Sequence, residues 1–83
     1  MIFRKEVLEK FLDKVVEQVV NSEVQIAFYQ TLDPKEIVLT KLEDNIRKDY
    51  TAQMMINKEI KSLENNEVML KILKEKIEKE NEL

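Results

Sequence analysis

The chain has no cysteine, no histidine, no glycine and no tryptophan, and a single proline among its 83 residues. Each absence removes a class of function. Without cysteine there is no disulfide framework, no thiolate nucleophile and no thiolate metal site. Without histidine and glycine there is no Ser-His pair, no zinc site built from the usual ligands, no Glu-x-x-His di-iron pattern and no glycine-rich phosphate loop. Long apolar runs are missing as well. The opening stretch MIFRKEVLEK mixes charges into its first apolar residues, so neither a signal peptide nor a membrane span is expected and the default is a cytoplasmic protein with no cofactor.

Neither sign of charge dominates. Lys and Arg number 14 against 17 Asp and Glu, a net charge of −3, and the two signs are interleaved. Lys71, Lys74, Lys76 and Lys79 alternate with Glu75, Glu78 and Glu80, which cancels the field that phosphate binding depends on. Nucleic acid is therefore the third choice of partner, reserved for a hairpin dimer that gathers its lysines on one face.

What remains is 43% apolar and 37% charged, a pairing that suits amphipathic helices and is too apolar for a disordered tail. Leu8, Leu12, Val15, Val19 and Ile26 recur at spacings of four, three, four and seven, a heptad-like helical stripe. Phe11, Val16 and Val20 widen the apolar arc beyond what one neighbour covers. The valine pairs of VVEQVV repeat every four residues, which fits a helix and breaks the period of a strand.

The lone proline lies in QTLDPKEIV. Asp33 suits an N-cap, Pro34 suits a first helical position and Glu36 completes a capping-box spacing, so one helix is expected to end and another to begin there. A link this short makes the two helices antiparallel neighbours. The expected fold is all-α: a single domain over residues 1–83, with helix 1 over about 3–31, a tip at Leu32–Pro34, helix 2 over about 34–64 and a helical segment over about 67–81. The arm after the tip is longer by some 25 Å if it is all helical. Asn65 and Asn66 mark where it either folds back as a third helix or continues as a coiled coil. A core of this size without disulfide or metal is reinforced most readily by association, which predicts a homodimeric helical bundle.

No residue is expected to be catalytic. Glu6 with Glu9, Glu64 with Glu67 and Glu75 with Glu78 share helical faces and define the alternative, a bundle that binds a divalent metal and has phosphohydrolase-like activity. Each pair stands beside lysines, which favours a solvated face with local ion pairs. The favoured function is a non-enzymatic protein–protein interaction module: an adaptor, scaffold or regulator that binds a second copy of itself and another protein. Candidate contact residues are Phe28 and Tyr29 before the tip, together with Val68, Met69, Ile72 and Leu73, where apolar residues point almost all round the helix. In outline the expected hairpin resembles small hairpin inhibitors of bacterial sensor kinases, though NSEVQIAFYQTL and KEIVLTKLEDNIRK carry no motif that transfers a residue.

Overall fold

The computed structural model describes residues 4–82, so the expected start of helix 1 at residue 3 lies outside the described residues. Four elements follow in order: α1 (Arg4–Gln30), β1 (Ile37–Glu43), β2 (Ile46–Thr51) and α2 (Ala52–Asn81). The two helices pack antiparallel along their length, and a two-stranded antiparallel hairpin stands at the end where they are joined. The shape is a thin plank of 53 × 30 × 14 Å.

The predicted stripe is the seam. Leu8, Leu12, Val15, Val19, Ile26 and Tyr29 are buried or partly buried, and Ser22 fills the gap of seven with 3% of its surface exposed. In α2 the matching seam runs through Ala52, Ile56, Glu59, Leu63, Asn66, Leu70, Leu73, Ile77 and Glu80, an unbroken alternation of four and three. Arg4 Nε lies 3.4 Å from Glu80 Oε1 at the far end, and the register this marks brings Val19 and Ser22 level with the Leu63–Asn66 turn. Polar residues at Ser22, Asn66 and Glu59 weaken the seam locally and tie it to one register, because sliding it by a heptad would set them against apolar side chains.

The all-α expectation is corrected between the helices. Asp33 makes the local contact expected of it, its Oδ1 accepting from Lys35 N–H at 2.9 Å, and the Glu36 N–H donates to the Asp33 carbonyl at 2.9 Å. Those bonds close a turn and nucleate no helix. The next residues, Ile37, Val38 and Leu39, are β-branched or bulky and enter a strand. The helix expected from Pro34 begins instead at Ala52, capped by Thr51, whose Oγ1 accepts from the Met54 N–H at 3.3 Å. Two further donors of the first turn are satisfied by the proline turn: Ala52 N–H donates to the Glu36 carbonyl at 2.8 Å and Gln53 N–H to that of Pro34 at 3.1 Å. The turn at Asp33–Glu36 therefore locks the hairpin's base to the start of α2.

The tip is also relocated. The chain leaves α1 near Leu32 as expected, but it reverses at Asp44–Asn45, where φ is 51° and 65°. Two consecutive positive φ values define a two-residue type I′ turn, and Asp and Asn are the residues apart from glycine that tolerate them best. With the hairpin taking up residues 37–51, α1 has 27 residues and α2 has 30, so the arms are nearly equal and no excess needs to fold back. Asn65 and Asn66 lie inside the continuous α2.

Candidate functional site

Two surfaces stand out on the plank, and both result from how little it buries. Among the described residues the buried apolar set is Val15, Ala52, Ile56 and Leu73, and no large side chain is fully enclosed. A two-helix layer has one seam, so every other apolar side chain faces outward.

The first surface is the hairpin. Pairing of Leu39 with Tyr50, Lys41 with Lys48 and Glu43 with Ile46 places these six residues on one face; Thr40 with Asp49 and Leu42 with Arg47 share the other. A register shift between Ile37 and Leu39 lets Val38 stand out of the pattern as a bulge. Both faces carry a large exposed apolar residue, Leu42 at 76% and Ile46 at 68%. Only two strands form the sheet, so both edges offer unpaired backbone groups. The hairpin meets the helices chiefly where β2 runs into α2.

Polar contacts stiffen each face. On the Leu42 face, the Asp49 carboxylate accepts from Thr40 Oγ1 at 2.8 Å and from Arg47 Nε at 2.9 Å. These hydrogen bonds, Arg47's first and Thr40's second, hold the Asp49 carboxyl below the usual carboxylate range. On the opposite face Lys41 and Lys48 sit directly across from each other, each with its Nζ 5.8 Å from the Tyr50 ring centre. The aromatic face attracts both ammonium groups and offsets part of their mutual repulsion.

The second surface is a row on α1. Val16, Val20, Val24 and Phe28 are exposed by 45%, 53%, 59% and 56%, and their spacing of four aligns them as one ridge running obliquely over the side away from the seam. Phe28 packs edge-on against Tyr29, ring centres 5.4 Å apart, with Tyr29 turned partly into the seam. Of the residues singled out in the sequence, Phe28 thus belongs to the ridge. Val68, Met69 and Ile72 are exposed on α2 at 59%, 37% and 45%, whereas Leu73 is a seam residue with 6% exposed. The first group and the second lie toward opposite ends of the plank and do not converge.

The sequence pattern reads Leu42 and Ile46 as positions on the apolar stripe of a second helix and singles out neither them nor Val24 as contact residues. The turn pair Asp44–Asn45 between Leu42 and Ile46 is the signal that could have found the first two. Among the described residues no three Asp, Glu, His or Cys side chains converge to hold a metal ion, and no helix is long and apolar enough to cross a membrane. The surface hollows are lined by such groups as Lys14, Glu17, Gln18 and Asn21 along α1, or Glu43, Asp44, Ile46 and Lys48 beside the turn. Compared with models of protein families, with curated proteins and with solved structures, the chain matches none of them.

Proposed function

We propose that this chain is a non-enzymatic, self-assembling scaffold of the cytoplasm, in which copies join through their β-hairpins and carry the helical arms as the surface offered to another protein. The observation that supports it is the hairpin itself. An isolated two-stranded hairpin is marginal in water, and stability ordinarily requires a third strand or a covering helix. Here the helices do not cover it, and Leu42 and Ile46 expose apolar surface on both faces at once. A strand edge is complemented by another strand, and a second copy supplies one at the same height. The hairpin's lysines and arginine, interspersed with Glu43, Asp44 and Asp49, allow opposite charges to meet across such a joint.

The metal-dependent alternative calls for carboxylates converging across helices, an arrangement not found among the described residues. The test of the scaffold is hydrogen exchange in the hairpin as a function of protein concentration. In a free hairpin the outward-facing amides exchange rapidly at any concentration. In a joined sheet those amides become protected as concentration rises, and the double variant Leu42→Lys, Ile46→Lys abolishes the protection. Rapid exchange of these amides at millimolar protein would overturn the reading.

A further inference from the structure

The hairpin has two edges, and they are not equally suited to meet a second copy. Glu43 and Ile46 flank the two-residue turn and so form a hydrogen-bonded pair, and such pairs alternate along the ladder. Thr40 and Leu42 on β1, and Arg47 and Asp49 on β2, therefore turn their backbone N–H and C=O groups outward.

We infer that copies join through β1, antiparallel, about a two-fold axis that passes through Leu42 perpendicular to the sheet. The inference rests on the reading that the hairpins join, and adds the edge, the register and the residues that select it. Outward-turned residues stand opposite one another in such a joint, so its axis passes through one residue of the strand. On β2 an axis at Arg47, Lys48 or Asp49 sets that charge directly against its own copy. On β1 an axis at Lys41 or Glu43 does the same. An axis at Thr40 puts Lys41 diagonal to Lys41 of the second copy, beside both Lys48 side chains and with no acid directly opposite. It also carries the pairing into the bulge at Val38.

An axis at Leu42 has none of these faults. Leu42, exposed by 76%, meets its own copy across a hydrogen-bonded pair with Cα atoms about 5.5 Å apart. On the other face Lys41 stands opposite Glu43, and by symmetry Glu43 opposite Lys41, in the closer non-hydrogen-bonded positions. Lys41 faces Lys48 within its own hairpin, and the joint gives it an acid on its free side. The pairing runs over residues 41–43 of each copy and stops at the turn of Asp44–Asn45, so the helical arms leave in opposite directions. A head-to-tail joint of β1 on β2 would repeat every two strands, about 9.6 Å. That spacing is less than the 14 Å thickness of the plank, so successive arms would crowd one another, whereas the two-fold pair closes on itself.

No cysteine is present, so single cysteines report the register. Leu42→Cys, Thr40→Cys and Arg47→Cys are each oxidised at the same protein concentration. The Leu42 axis predicts that Leu42→Cys forms the intermolecular disulfide roughly tenfold faster than either of the others, since only residue 42 stands opposite itself. A faster Thr40→Cys would overturn the register and a faster Arg47→Cys the edge, and either would leave the hairpin reading standing. Equal rates in all three would overturn the inference; if light scattering also gives 9.9 kDa at every concentration, the hairpin reading falls with it. Charge reversal supplies a second test that needs no cysteine. Glu43→Lys sets two like pairs across the axis and should weaken association roughly tenfold, and adding Lys41→Glu should restore it. A head-to-tail joint that set Glu43 against Lys48 would show no such rescue, so a double variant as weak as the single one would overturn the two-fold joint.

Discussion

The two halves of α1 share one seam and differ in how much charge they show to water. Toward the free end, residues 4–14 bury Leu8 and Leu12 in part, expose the apolar pair Val7 and Phe11, and are charged at every remaining position. Toward the hairpin, Val15, Val19 and Ile26 continue the seam while Val16, Val20, Val24 and Phe28 add a second apolar line outside it. A seam alone needs two positions in seven. The extra line buries little within one copy, so the difference between the halves separates what holds the chain together from what it leaves exposed.

The sharpest way to break that comparison is to cut the seam itself. Leu73→Ala removes a buried side chain from between the helices and should cost about 2–4 kcal/mol in urea unfolding. Val24→Ala, measured in the monomeric background, should cost less than about 0.5 kcal/mol, because its side chain is exposed within one copy. A large loss at Val24 in the monomer would place the ridge inside the fold.

A smaller effect is expected at the hairpin turn. Asn45 holds φ at 65°, and Asn45→Ala should destabilise the hairpin by about 1 kcal/mol, the cost of a left-handed backbone for a residue with an ordinary Cβ. Asn45→Gly should stabilise it slightly. Amide exchange in β1 and β2, compared with that in α1, reads both.

The smallest effect concerns pH. The Asp49 carboxyl is held below its ordinary value of 3.8 in the folded hairpin, so its contribution is fully present above that pH and is lost as pH falls through the lower folded value. Hairpin amides should therefore loosen below about pH 4, and Asp49→Asn should flatten this part of the profile. The carboxylate is partly exposed, so the change is modest.

Much of the helical part is legible in the residues. Leu8, Leu12, Val15, Val19 and Ile26 announce the seam, and Ser22 is hidden only because a polar side chain interrupts the apolar count. The hairpin is not legible, for two physical reasons. Val38, Leu39, Leu42, Ile46 and Tyr50 fall at spacings of one, three, four and four, which mimic a helix stripe although Leu42 stands on the opposite strand face from Leu39, Ile46 and Tyr50. The turn is masked by the lack of glycine, since Asp44–Asn45 reaches positive φ without it. One clue points the wrong way. The surplus of length after Pro34 suggests a helix in need of a fold-back, and it is the length of the hairpin.

Asp33–Pro34 shows the same ambiguity at short range. An Asx contact two residues ahead belongs equally to a helix cap and to a turn, and the residues next in the chain decide between them. Ile37 and Val38 tip the balance toward a strand, and Thr51 takes over as the cap of α2.

The measurement that bears most directly on the central claim is the mass of the intact chain by light scattering over a dilution series. The account predicts a mass of at least twice the 9.9 kDa of one copy, falling only at high dilution. A folded species of 9.9 kDa at every concentration would contradict it.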